Sequence, residues 1–263
     1  MASDLVLIRD EGSARIITLN RADKRNAFNL ELGFAFRDAL VAAAEATEVR
    51  TIIVNGAGKS FSAGIDFFAF AQIIDLSGNA TFRRAVRELQ EIPNAMARVE
   101  KPVIAVVHGH CIGMALEMAL ACDLRIAEVG CKINIEEVRL GLIPDVGGST
   151  RLVRAIGLPR AKEMIMTGRT ITPETAMQWG LVNEVAPAGE GLAAALRWHE
   201  EFCAGAPNAV GLAKKVLDLA YDLDAASSMQ IEALAQSTLV PTEDFKEGVA
   251  ARIEKRPPKW KGR

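Results

Sequence analysis

The chain has 263 residues, half of them hydrophobic and 24% charged, which suits one large globular domain or a core with a small appendage. A net charge of −2 gives no electrostatic reason to bind nucleic acid or an anionic membrane, and the longest uncharged stretch, 102–116, is too short to span a bilayer. An acid-bearing start without an apolar signal core, and four cysteines with no CxxC pair, predict a cytoplasmic protein with free thiols.

Taken in order, the short aliphatic runs 4–9 and 15–19 flank Glu11, Gly12 and Ser13, a hairpin signal. A polar turn, 20–26, follows. Residues 30–46 have helical periodicity, with Leu32, Phe36, Leu40 and Ala43 on one face. Residues 51–54 read as a buried strand, and 55–64 as a Gly/Ser-rich loop. Helical material is expected over 67–74 and 82–97, with a break at Ser77 and Gly78. Pro102 opens the strand 103–107. Short helices are expected at 151–156 and 161–167. Thr172-Pro173-Glu174 reads as an N-cap with Pro at the first helical position, for a helix ending at Gly180. LVNEV reads as a further strand. From Gly191 the chain is helical apart from 206–208 and 241–243. Strands alternating with helices to about residue 186, then helices alone, argue an α/β core over 1–200 and a helical region over 201–263.

The chemistry concentrates in 103–148, which reads as strand, glycine-bearing turn and apolar helix. That helix holds one carboxylate, Glu117, whose neighbours three and four positions away are Gly113, Met114, Leu120 and Ala121. A lone acid on an apolar face is costly unless paired or protonated. Twenty residues on, Glu137 lies in a loop ending in Gly141, Pro144, Gly147 and Gly148. Two acids beside a dry cleft form a general acid/base pair, while the spacing equally admits a salt-bridged core acid and a surface loop acid. The turn at 109–114 puts free N–H groups at a helix start, where an oxyanion hole can form, although a plain strand-to-helix turn has the same sequence. Asp145 reads either as an N-cap for the Gly-Gly helix start or as a third acid at the cleft. Gly58-Lys59-Ser60 hints at a phosphate loop, but the motif needs Gly where Ile53 stands. Lys24, Arg25 and the basic tail 255–263 are solvated charge or phosphate contacts. The three histidines lack helical metal-ligand spacing, so no metal site is expected.

These stretches together resemble the enoyl-CoA hydratase/isomerase (crotonase) family. The matching pieces are ITLNRADKRNAFN (17–29), GKSFSAGIDF (58–67), HGHCIGMALEMALACDLRIA (108–127), EEVRLGLIPDVGGSTRL (136–152), MTGRTITPETAMQWGLVNEV (166–185) and DFKEGVAARIEKRPPKWKGR (244–263). The resemblance implies a crotonase-like α/β spiral of ββα turns, with a C-terminal helical region used in trimerisation and trimers often paired into hexamers.

The resemblance also implies roles. The backbone N–H groups of Ile65 and Met114 would form the oxyanion hole, between Gly64 and Gly113, for an acyl-CoA thioester carbonyl. Ala27, Ala63 and Asp66 would line the coenzyme A channel. Lys24 or Arg25, with Phe245 or Lys259, would meet its adenine and phosphates. Phe67 and Phe68 replace more polar residues and would favour apolar acyl chains at the tunnel mouth. Met114 stands where the family commonly has Gly. Glu117 and Glu137 match the hydratases' two glutamates, which implies addition of water to a trans-2-enoyl-CoA. Coenzyme A enters as part of the substrate, with no separate cofactor. Asp145 stands where ordinary hydratases have Gly and dienoyl-CoA isomerases have Asp, so double-bond isomerisation is the rival activity. A non-catalytic acyl-CoA-binding protein is a third reading.

Overall fold

The computed structural model describes residues 4–75 and 79–263. The expected break at Ser77 and Gly78 lies outside them. The chain divides into two compact units, one of residues up to Val99 with Val103–Leu196, the other of Glu100–Pro102 with Arg197–Arg263.

The first unit opens with strands β1 (Val6–Glu11) and β2 (Ala14–Leu19), an antiparallel hairpin turned at Gly12, where φ is +59°. Helix α1 (Leu30–Glu45) is capped by Asn29, whose side chain accepts from Leu32 N–H at 2.9 Å. It buries Leu32, Phe36 and Leu40, each contributing on the order of 2 kcal/mol by removal from water. Strand β3 (Thr51–Gly56) follows, then α2 (Phe67–Asp75) and α3 (Asn79–Arg98). Strand β4 (Val103–Val107), buried at every residue, leads to β5 (His110–Ile112) and α4 (Met114–Ala119). Strands β6 (Leu124–Glu128) and β7 (Lys132–Asn134) follow, then α5 (Gly148–Thr167), α6 (Pro173–Trp179) and β8 (Glu184–Ala186). Non-helical backbone at Gly157 (φ 78°, ψ 160°) divides α5, which accounts for two short helices expected there.

The large sheet has the order β1-β2-β3-β4-β6-β8, parallel beyond the first hairpin, and β5 and β7 form a second, parallel sheet. Two turns of the spiral are therefore explicit: β4 in the large sheet, β5 in the small one, then α4; and β6, then β7, then the 3-10 turn Glu137–Leu140. The turn before them follows the same path, because Ser62, just after β3, bridges Cys111 of β5. This is the crotonase-type α/β fold. Each turn brings a chain segment from the small sheet back under the next helix start, so residues 62–66, 110–114 and 133–137 lie side by side.

The second unit is helical, with α7 (Gly191–Cys203) entering it and α8 (Pro207–Ala220), α9 (Ala225–Leu239) and α10 (Glu243–Glu254) inside it. Its tail folds back on α10: Lys261 N–H and Gly262 N–H donate to the buried Asp244 carboxylate at 2.7 and 2.8 Å. No described helix is long and apolar enough to cross a membrane.

Candidate active site

Gly113 sets the start of α4. It adopts φ 55°, ψ −124°, accessible to glycine and costly for other residues. Met114 is then the first helical residue, and its N–H has no acceptor within the helix. Ile65 supplies a second such amide. It bridges Phe28, but the bridge is made by Phe28 N–H to Gly64 O and Asp66 N–H to Phe28 O, so Ile65 N–H points the other way. Gly64 lets the two segments meet: a Cβ there would lie 2.6 Å from Ile112 O and 3.6 Å from Met114 N. Two amides left over by the fold's own hydrogen bonding thus sit on neighbouring segments at one cavity.

All three acids line that cavity. Glu117 is 1% exposed and has no ion pair among the described residues. Its Oε2 accepts from Val146 N–H at 2.8 Å and Gly148 N–H at 2.6 Å. Burial pushes its carboxyl up to about 7. The Gly148 and Val146 amides oppose this, and the Glu137 and Asp145 charges add to it. Glu137 opens the 3-10 turn Glu137–Leu140 rather than lying in an irregular loop. Its buried Oε2 has no hydrogen-bond partner among the described residues, and its Oε1 would be 2.5 Å from a Cβ on Gly113. Burial raises the Glu137 pKa, with Glu136 and Asp145 adding repulsion. Asp145 is raised by burial as well. It is not an N-cap: Gly147, at φ 106°, occupies that position for α5 and makes no side-chain cap bond. The three acids share one cavity, and neither the salt-bridge reading of Glu117, among the described residues, nor the N-cap reading of Asp145 holds.

The cavity is about 200 Å³. Beyond the acids its walls are apolar: Phe67 and Phe70 from α2, Phe82, Ala85, Val86 and Leu89 from α3, and Leu140, Leu142 and Ile143 from the following loop. Phe70 and Phe82 meet edge to face, with ring centroids 6.3 Å apart. One end of the site is therefore polar and the other suits an alkyl chain.

Residues 9–263 match the enoyl-CoA hydratase/isomerase family. The chain belongs to this family. It is 33% identical to 2,3-dehydroadipyl-CoA hydratase of Escherichia coli K12, over 99% of this chain and 100% of that protein. It is 32% identical to the short-chain-enoyl-CoA hydratase of Clostridium acetobutylicum, over 95% of each. Among solved structures, the enoyl-CoA hydratase of Bacillus anthracis superposes with a TM-score of 0.93 at 32% identity, covering 98% of this chain and 100% of that one.

In this hydratase/isomerase relative the other predicted site residues divide. Ala63, Gly64, Phe67 and Gly113 line the cavity. Phe68 is 85% exposed and does not. Asp66 is also absent from the lining and has structural partners: it pairs with Arg21 at 2.6 Å and accepts from Phe68 and Ala69 N–H at the start of α2. Lys24 and Arg25 are exposed beside a half-buried Ala27, and Arg25 and Asn26 have positive φ. Phe245 and Lys259 belong to the second unit, where Phe245 lines a groove with Trp260 and Lys259 N–H donates to Glu247. Sequence reasoning missed the α3 wall, Glu136 at the rim, and the three polar side chains Gln90, Asn94 and Arg151 behind the acids. It also missed Asn26, which is fully buried and ties the turn 20–26 to Ala57 O and Ser60 O.

Proposed function

We propose that this protein is a 2-enoyl-CoA hydratase, which adds water across the 2,3 double bond of a trans-2-enoyl-CoA to give the 3-hydroxyacyl-CoA. The observation that carries this reading is the pairing of Glu117 and Glu137 at one cavity whose polar end also holds the Ile65 and Met114 amides.

The thioester oxygen accepts from both amides, which stabilise the charge developing on it by several kcal/mol together. Glu117 is the base. One of its oxygens is fixed by two amide donors, and the other accepts a proton from water. The water oxygen bonds to C3, and the double-bond electrons move through C2 onto the thioester oxygen. Glu137, whose buried Oε2 meets no donor among the described residues, is placed to be the carboxyl that delivers a proton to C2. One proton enters Glu117 and one leaves Glu137, and transfer between the two carboxyls resets the pair. The scheme uses no separate cofactor. The relatives named as hydratases support it.

Asp145 favours a second reading, an enoyl- or dienoyl-CoA isomerase in which Glu137 and Asp145 shuttle the proton. The two are separated by ranking variants. Hydration predicts that Glu117→Gln abolishes loss of enone absorbance with crotonyl-CoA and that Asp145→Asn is mild. The opposite ranking, or no hydration at any chain length, overturns the hydratase reading.

The C-terminal helices are read as the trimer contact, which the exposed Leu217, Met229, Leu234, Val249 and Ile253 support. Light scattering tests this, and a monomer removes it.

A further inference from the structure

One peptide unit, between Asp145 and Val146, is held at both ends. Its N–H donates to Glu117 Oε2 at 2.8 Å, and its carbonyl accepts from Gln90 Nε2 at 2.6 Å. The adjoining peptides are held likewise. Arg151 Nη1 donates to Val146 O at 3.3 Å, its Nη2 is fixed by Asn94 Oδ1 at 2.9 Å, and Ser149 Oγ donates to Pro144 O at 3.1 Å. Gln90 and Asn94 are four positions apart on α3, so they share a face. The same helix supplies the Val86 and Leu89 wall of the acyl cavity. Carbonyls of the acid loop are thus gripped by side chains while two of its amides aim at Glu117.

Hydrogen bonds in series polarise one another. A donor on the Asp145 carbonyl draws electron density from the Val146 nitrogen and makes its N–H a better donor to the carboxylate.

We propose that Gln90 is a positioning residue for this site. It acts through the 145–146 peptide to deliver the Val146 N–H to Glu117 and to hold Asp145 at the cavity wall, with Asn94 and Arg151 fixing the next peptide. The inference rests on the hydratase reading only for its kinetic consequence.

Gln90→Met removes the donor at similar volume, and Gln90→Lys returns an N–H to the same carbonyl. Two measurements are made. Crotonyl-CoA hydration is followed against pH, and the Glu117 carboxyl is titrated by 13C NMR in substrate-free protein, assigned by its loss in Glu117→Gln. The charged groups acting on Glu117 are Glu137, Asp145 and Arg151, and all remain in both variants. Gln90→Lys adds a cation that by itself lowers the Glu117 titration. The titration is therefore compared between wild type and Gln90→Met, and Gln90→Lys is read by kcat above about pH 8, where Glu117 is ionised in every protein. Gln90→Met is expected to move the Glu117 titration up by about half a pH unit, because the anion loses support. It is expected to lower kcat about tenfold with KM within about twofold, and Gln90→Lys is expected to recover most of kcat. A folded Gln90→Met with an unmoved Glu117 titration and wild-type kcat overturns the proposal, and so does a rise in KM alone. If Gln90→Met does not fold, Gln90→Leu decides: it removes the same donor from the Asp145 carbonyl without adding a charge, and an unmoved Glu117 titration in it overturns the proposal. If the wild type hydrates no enoyl-CoA, the hydratase reading falls, while the NMR titration still judges Gln90.

Discussion

Gly148 has no side chain because Glu117 occupies the place of one. A Cβ built on Gly148 lies 2.8 Å from Glu117 Cγ and 2.9 Å from both Cδ and Oε2, closer than real Cβ contacts come. The backbone of Gly148 is not in the left-handed region, so the constraint is steric and comes from the acid. Gly148→Ala should therefore fold and push the carboxyl off its two amide donors. The expected result is a fall in kcat on the order of a hundredfold, with a stability cost of about 1–3 kcal/mol. Steady-state hydration of crotonyl-CoA and a thermal melt measure the two. Wild-type kcat in the alanine variant would show that Glu117 can shift without consequence.

Gly113 faces the second acid in the same way, with a backbone cost added. Its φ of +55° with ψ −124° strains any side chain, and its Cβ would lie 2.5 Å from Glu137 Oε1. Gly113→Ala should cost about 1–3 kcal/mol from backbone alone, plus the clash. A double-mutant cycle separates them. In a Glu137→Ala background the clash is gone, so the cost of Gly113→Ala should shrink by about 1 kcal/mol, read by denaturant unfolding. Equal costs in both backgrounds would mean that Glu137 simply swings aside.

The contrast between these glycines and the acids they face says what the sequence discloses. Glu117 was visible because its helical neighbours are all apolar or small, and a lone acid there needs an explanation. The β1–β2 hairpin, α1 and β4 were visible because short-range periodicity and a Gly turn carry them. The partners of Glu117 were not. They are backbone amides 29 and 31 residues further along, and a backbone donor has no residue signature. Gln90 and Asn94 were hidden for a related reason, since polar residues on a strongly amphipathic helix ordinarily face water. Strand β6 was missed because Arg125 interrupts its apolar run. The structure shows that arginine capping carbonyls of Leu181 and Cys122. Asp145 was legible as an acid and ambiguous in role, because an Asp-x-Gly-Gly sequence fits a cap as readily as a cavity wall.

The titration of Glu117 has a consequence for stability. Its pKa is about 7 in the folded protein against an ordinary 4.5. Between those values the folded state keeps a proton that the unfolded chain has released. This contribution therefore favours folding most below about 4.5 and is lost as pH rises through 7. Glu117→Gln removes the charge and keeps an oxygen for the Val146 and Gly148 amides. At pH 8 it should be more stable than wild type by up to about 3 kcal/mol, and the advantage should vanish toward pH 4.5. Urea unfolding of the two proteins across this range tests it, and a pH-independent difference would refute it. The same variant should have no hydratase activity, because an amide cannot take a proton from water. The wild-type rate should rise with pH through about 7 as Glu117 ionises.

Asp66 allows a cleaner separation of scaffold from chemistry. It bonds Arg21 Nη1 at 2.6 Å and accepts the Phe68 and Ala69 amides at 3.0 and 3.4 Å, and it does not line the cavity. The Arg21 guanidinium, with those two amides, holds its carboxyl below the usual range. Stability from this residue is therefore present above pH 3.8 and is lost as pH falls through the lowered folded value. Asp66→Ala should cost roughly 2 kcal/mol near neutral pH, from a lost cap and a lost partly buried ion pair. Asp66→Asn keeps a cap acceptor and loses the charge, so it should fall between. Both should leave KM for crotonyl-CoA within about twofold, because Asp66, although next to Ile65, does not itself line the cavity that takes the ester. A KM raised tenfold or more in Asp66→Asn, with little loss of stability, would instead return Asp66 to the coenzyme A channel that the sequence resemblance implies.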